Sequence, residues 1–280
     1  MRPSIRSSIM LLPAISIFML FFTAPLAFFF VVSFWRLKSY RLVREFSFSN
    51  YLATISDYGE ALLFTLVVSA AVAAITTVTG FLIAYFIRFK SGAMGQALLF
   101  IVLVTLFGGY LVKIYAWKTL LGTQGILNSA LLSLNVVDEP ITWSLYSPVA
   151  VMITLVNFLI PFAVLPIYGS LRNIEDTPIA AARDLGAGPS RVLFEIIIPQ
   201  CRAGLFSAFA LCFLITAGDY VTPRLVGGTS TFMIGNFIES QFINRLNAPL
   251  GAAMSFLTIA ASLLVLLVVR QGLRRSLAMR

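Results

Sequence analysis

The sequence predicts an all-α membrane protein of six transmembrane helices, with a helical cytoplasmic loop between the fourth and fifth. Three observations predict it. Of 280 residues, 59% are hydrophobic and 11% charged, whereas a water-soluble domain carries about 25% charged residues to cover its surface. The mean hydropathy is +0.95. Apolar stretches at residues 9–34, 61–87, 97–116, 148–168, 203–217 and 251–269 approach or exceed the roughly 20 residues a helix needs to cross the hydrocarbon core. They leave no stretch long enough for a separate soluble domain, so one transmembrane domain is expected over residues 1–280.

The first span follows Arg2 and Arg6, as a signal peptide would, but it is far longer than a secretory h-region and reads as a retained anchor. After it, Ser49 in the run Ser47-Phe48-Ser49-Asn50-Tyr51 predicts an N-cap for a short helix lying on the membrane. Between the third and fourth spans, Ile126, Leu127, Ala130, Leu131 and Leu134 share one helical face and predict a second surface helix. In the fourth span Asn157 precedes Pro161 and Pro166. Prolines free backbone carbonyls that can line a cavity, or mark a kink filled by neighbouring helices.

Residues 171–202 are punctuated as two short helices. Thr177 is a natural N-cap with Pro178 at the first helical position, and Gly186 suits a left-handed C-terminal stop. Gly188 and Pro189 open a second helix, which the chain leaves near Pro199. The first helix carries Arg183 and Asp184 on the small residues Ala180, Ala181 and Ala182. That shape suits a partner's groove or a plain connector on the bilayer surface. The loop 218–250 that follows the fifth span is Gly-rich and the longest on the other side.

Six spans put both termini on one side. Twelve basic residues fall there: Arg2, Arg6, Arg88, Lys90, Arg172, Arg183, Arg191, Arg202, Arg270, Arg274, Arg275 and Arg280. Eight fall opposite: Arg36, Lys38, Arg41, Arg44, Lys113, Lys118, Arg224 and Arg245. The positive-inside rule places the termini in the cytoplasm.

The chain has no histidine, which removes the commonest general base and the common zinc and Ser-His-Asp sites. No catalytic or metal residue is assigned. Cys201 and Cys212 read as small apolar fillers. Ionisable groups at membrane depth usually face a bundle interior or water. Asp219 beside Tyr220 is placed either to hold an ammonium group against an aromatic face or to cap a helix. Lys113 and Lys118 flank Trp117, where lysines snorkel to the interface or meet cargo.

The run Ala180-Ala181-Ala182, Gly186, Ile196, Ile198-Pro199 resembles the EAA loop of binding-protein-dependent ABC importer permeases. That loop reads Glu-Ala-Ala-x3-Gly-x9-Ile-x-Leu-Pro, and five of its seven fixed positions match at the same spacing. Ala180 replaces Glu and Ile198 replaces Leu. With Thr177 as N-cap, a Glu at position 180 would close a capping box, which Ala180 forfeits. The resemblance implies that Ala181, Ala182, Gly186, Ile196 and Pro199, with Ala180, Arg183 and Asp184 around them, form a coupling helix seated on a cytoplasmic ATPase subunit.

Other blocks resemble the spermidine/putrescine-type permeases: Tyr115-Ala116-Trp117, Leu120-Leu121-Gly122 through Gly125 and Asn128, Gly218-Asp219-Tyr220-Val221-Thr222-Pro223, Met233-Ile234-Gly235-Asn236, and Pro249-Leu250-Gly251-Ala252-Ala253. The resemblance implies a multi-pass inner-membrane subunit without a cofactor of its own, ATP and Mg residing on the ATPase partners. It also implies a second permease chain, two ATPase subunits and a periplasmic solute-binding protein. The expected cargo is a polyamine or a related small polar solute, with Asp219, Tyr220, Trp117, Asn157 and Lys113 as its candidate path. The alternatives are another small organic solute, such as an amine-bearing phosphonate, an opine or an amino acid, and an ion-coupled carrier. Against the carrier stands the lack of acidic residues within the spans.

Overall fold

The first apolar stretch is helical from α1 (Ile5–Phe18) through a widened π turn at Met19–Thr23 into α2 (Ala24–Val32) in a computed structural model of the chain. The structure describes residues 5–38, 41–141, 145–228 and 231–278; Arg2 and Arg280 of the charge count lie outside them. Next comes a two-stranded antiparallel hairpin, β1 (Arg36–Lys38) and β2 (Arg41–Val43), in which Leu37 pairs with Leu42. The hairpin was not foreseen.

The second span is the middle of α3 (Ser49–Phe89), 41 residues long. The short surface helix expected from Ser49 is therefore only the first turns of α3. No proline interrupts residues 49–89, so once nucleated the helix propagates into the span. Ser47, not Ser49, accepts a first-turn amide: the Ser49 N–H donates to Ser47 Oγ at 3.2 Å.

The third span is not one straight helix. The stretch Gly92–Leu106, which contains α4 (Gly95–Leu106), meets Tyr110–Ser133, which opens with α5 (Tyr110–Leu121), at a 93° bend, and the backbone turns extended at Gly109 (ψ 135°). α6 (Ile126–Ser133) follows, with Ile126, Leu127, Ala130 and Leu134 exposed and Leu131 half-buried. α7 (Pro148–Arg172) starts where Ser147 Oγ accepts from the Ala150 N–H at 3.1 Å and Pro148 holds the first position.

After α7 come α8 (Asp176–Asp184), α9 (Pro189–Val192), a π segment at Leu193–Ile197 and α10 (Ile198–Gln200). α11 (Arg202–Ala217) leaves Pro189–Gln200 at 68°. A π turn at Pro223–Gly227, α12 (Ile234–Ile243) and α13 (Ala248–Ala278) complete the chain. Among the described residues four helices alone are long and apolar enough to cross a membrane, or up to six spans if each bent pair counts as one.

The chain divides into two compact units. The smaller comprises Met1–Glu60 and Phe237–Ala260. In it Phe34 stacks on Phe46 at 4.6 Å and meets Phe48 edge-on at 5.4 Å, while Asn50 Nδ2 donates to the carbonyls of Ser33 and Trp35 at 2.9 and 2.8 Å. Phe30 meets Phe256 edge-on at 5.0 Å. The larger unit, Ala61–Asn236 and Ala261–Arg280, has a core centred on α7 and α11. Leu155, Leu159, Ala163, Val164 and Ile167 of α7 pack with Ala208, Cys212 and Phe213 of α11, all buried. The approach is close enough that a Cβ on Gly204 would sit 2.7 Å from the Pro166 carbonyl oxygen. Cys201 lies at the bend rather than within α11, and both cysteines are free and buried, their thiols 3.8 and 3.9 Å from the Ile167 and Leu159 carbonyls.

Candidate functional site

The expected coupling residues fall on one exposed segment of the larger unit. α8 begins two residues earlier than its sequence suggests: Glu175 is the N-cap, with extended backbone (φ −69°, ψ 145°), and Thr177 is already the second helical residue. Position 180 is therefore the fifth helical position, too far along to reach back to the N-cap. The capping-box account of Ala180 is thus wrong for this helix. The acidic first turn remains, with Asp176 near the positive end of the helix dipole.

The C-terminus of α8 is as the sequence predicts. Gly186 has φ +83°, its N–H donates to the Arg183 carbonyl at 2.9 Å, and the Ala187 N–H donates to the Ala182 carbonyl at 2.9 Å. These two bonds make a Schellman stop. Ala180, Ala181, Arg183, Asp184 and Gly186 are exposed and Ala182 half-buried, while Ile179 is buried as the anchor of the helix. Leu185 is 89% exposed, an apolar side chain left in the open at the tip. Ile196 and Pro199 lie half-buried on the second arm.

Arg88, at the end of α3, holds the start of this segment. Its Nη2 donates to Asp176 Oδ1 at 2.9 Å, and Arg88 with Tyr85, Ile179, Ala180 and Arg183 lines a cavity of about 380 Å³. In the sequence Arg88 signals only topology. A second ion pair, Arg191 with Glu195 at 3.0 Å, runs along the second arm.

The candidate path residues differ in exposure. Asp219 is 7% exposed, and its Oδ1 accepts from the Val221 and Thr222 N–H groups at 2.9 and 3.4 Å, so it caps the turn that follows. Its Oδ2 is buried and meets no hydrogen-bond donor among the described residues. Tyr110, whose hydroxyl lies 2.7 Å from Thr222 Oγ1, is close enough to interact with it electrostatically. Tyr220 is exposed and Trp117 half-buried. Lys113 folds back on the α4–α5 bend, donating to the Thr105 carbonyl at 2.7 Å with its ammonium 5.4 Å from the Phe158 ring centre. Asn157 is exposed on α7.

Three further polar residues organise this unit, and the sequence assigned them no role. Asn236 donates to the Tyr220 carbonyl at 2.6 Å and accepts from the Met233 N–H at 3.0 Å. Thr65 Oγ1 accepts from the Ile234 N–H at 2.8 Å. Asn128, buried, bonds the carbonyls of Gly122 and Ile141 and the Ile141 N–H. Each lies in a largely apolar run, and that signal does not reveal which distant backbone is bound. Among the described residues no group of three or more His, Cys, Asp or Glu could hold a metal ion.

Residues 93–278 match the family described as binding-protein-dependent transport system inner membrane component. The chain belongs to that family. It is a transport component of the inner membrane rather than an enzyme, which sets the ion-coupled carrier aside. It is 36% identical over 223 residues to the spermidine/putrescine transport system permease protein PotB of Escherichia coli strain K12, covering 79% of this chain and 81% of that one. It is 28% identical over 225 residues to the inner membrane ABC transporter permease protein YdcU of the same organism, covering 76% and 71%.

Among solved structures it is similar to the bacterial alginate ABC transporter in complex with an alginate pentasaccharide-bound periplasmic protein, with a TM-score of 0.72, 18% identity and coverage of 96% and 94%. The MetNI methionine ABC transporter, in an inward-facing conformation, gives 0.56 at 15% identity and covers 77% and 94%. These two likenesses concern the fold, that of an ABC transporter permease.

Proposed function

We propose that the chain is a permease subunit of an ATP-driven importer for spermidine, putrescine or a similar small amine, delivered by a periplasmic binding protein. The observation that carries the cargo class is the 36% identity to PotB over most of both chains. Residues 1–280 act as one permease domain with both termini in the cytoplasm, the orientation favoured by basic residues. A second permease chain completes the pathway, and two ATPase subunits bind ATP and Mg on the cytoplasmic face. This chain contributes no cofactor.

In this reading α8 is the rigid lever. Its exposed face of Ala180, Ala181, Arg183 and Asp184, with Leu185 at the tip, seats in a groove of the ATPase, while Ile179 and the Arg88–Asp176 pair fix its base. Ile196 and Pro199 support it from the second arm. ATPase closure drives transport only if it favours a different state of the permease than the open ATPase does. A helix fixed at its base and free at its tip suits that transfer.

On the cargo side, Asp219 supplies the negative charge and Tyr220 an exposed aromatic face, with Trp117, Asn157 and Lys113 further along the path. A second reading, an amine-bearing phosphonate, has one specific support. A putative 2-aminoethylphosphonate transport system permease, PhnU of Salmonella typhi, is 28% identical over 148 residues. Reconstitution with the companion ATPase, permease and binding protein in proteoliposomes separates the two. ATP-dependent uptake of labelled spermidine or putrescine, with no uptake of 2-aminoethylphosphonate, is the expected result. The reverse pattern overturns the polyamine reading.

A further inference from the structure

At the ends of α11 and α13 the larger unit carries a groove of about 520 Å³, lined chiefly by Arg202, Phe206 and Ser207 of α11 and by Arg270, Leu273 and Arg274 of α13. Three of these six side chains are guanidiniums and none is a carboxylate. All three arginines are exposed, and among the described residues no ion pair engages any of them. Arg270 and Arg274 stand four residues apart on one helix, a spacing at which like charges disfavour the helix. The arrangement concentrates positive charge that no ion pair among the described residues neutralises.

The surroundings select the kind of anion. α13 is an apolar membrane-spanning helix. Leu263 and Leu267, 52% and 56% exposed, precede Arg270 and Arg274 at the three- and four-residue steps that keep one helical face. The stripe thus runs from exposed leucines to paired cations, and Phe206 adds an apolar wall from α11. A small hydrophilic anion would use the cations and leave the leucines in contact with nothing of its own. An amphipathic anion uses both.

We infer that this groove binds an anionic phospholipid, its phosphate held by Arg202, Arg270 and Arg274 and one acyl chain lying along Leu267 and Leu263. Guanidinium and phosphate pair in bidentate fashion, Ser207 adds a hydroxyl, and basic pockets between membrane helices suit such headgroups. The site is independent of which cargo the importer carries.

The test uses the purified chain in detergent, with phosphatidylglycerol titrated in and retention read by native mass spectrometry. Phosphatidylglycerol is retained and phosphatidylethanolamine is not. The triple variant Arg202→Gln/Arg270→Gln/Arg274→Gln weakens retention about a hundredfold, each single change contributing roughly fivefold. The single variants, and the competition between the two lipids on the unaltered chain, keep the test decisive if the triple variant does not fold. Equal retention of both lipids, or an unchanged affinity in the variants, overturns the site. Displacement of the lipid by an equal concentration of inorganic phosphate overturns it too, in favour of a free-anion site.

Discussion

The segment Asp176–Gln200 and the segment Gly218–Asn236 are both rich in glycine, proline and polar residues, yet the larger unit treats them oppositely. The first keeps its polar face in the open: Ala180, Ala181, Arg183 and Asp184 are exposed, and its one ion pair to another helix is Arg88–Asp176. The second spends several of its polar groups internally. Asp219 caps the following turn, Thr222 meets Tyr110, and Asn236 bonds the backbone at Tyr220 and Met233, all four residues buried or half-buried. Buried polar groups must be bonded, whereas exposed ones remain free for a partner. The contrast suggests a division of labour in which the first segment is built to be gripped and the second to hold its shape.

That contrast can be broken by changes that strike the scaffold beneath both segments. Gly204→Val places side-chain carbon against Pro166 and Ser170, where even a Cβ has no room. It should lower stability by about 1–3 kcal/mol, the usual range for overpacking, and more if the backbone cannot shift. A thermal melt in detergent reads it, and an unchanged melting temperature would mean that α7 and α11 separate more readily than their packing suggests.

Gly186→Val attacks the exposed segment alone. At φ +83° a β-branched residue is strained by roughly 1–2 kcal/mol. The variant should insert and melt nearly as the parent does but lose most substrate-stimulated ATPase activity and uptake. Normal uptake would remove α8 from the coupling role. Asp219 sharpens the other side, because its two substitutions separate shape from charge. Asp219→Ala should cost about 1 kcal/mol through the lost cap, whereas Asp219→Asn retains an acceptor for the cap. If Oδ2 serves a cationic cargo, Asn lowers uptake of spermidine without lowering the melting temperature. Parental uptake by the Asp219→Asn variant would leave Asp219 a cap only.

The smallest effect is expected for Arg88→Gln. The Asp176 carboxylate is 74% exposed and Arg88 26%, so solvent screens the pair and its loss should cost about 0.2–1 kcal/mol. Transport should fall more than stability does, since the base of the lever is loosened. A large drop in melting temperature would show that the pair secures the whole bundle.

The second and fourth spans, the Schellman stop at Gly186 and the start of α9 at Pro189 were legible because each depends on local chemistry: apolar length, φ preference and a fixed proline ring. The sequence places the start of α8 two residues late, because Thr177 is by propensity the better cap, yet the helix starts after Glu175, with Ile179 buried. The angles of the two bends were hidden for a similar reason. Gly108-Gly109 and Pro199-Gln200-Cys201-Arg202 mark where the chain can break, but such residues do not encode the 93° and 68° angles through which the helices turn.

By itself the sequence determined that this chain lives in a bilayer, how many times its apolar segments can cross it, and which family motif its fourth loop carries. These follow from counts and spacings along the chain, which no neighbour can alter. Only the tertiary structure decided that Asp219 is half consumed as a cap, that Lys113 pins a bend, and that Arg202 shares a groove with Arg270 and Arg274. Each depends on which distant backbone or side chain comes within about 3–4 Å, the reach of a hydrogen bond or ion pair, and separation along the chain does not encode that distance.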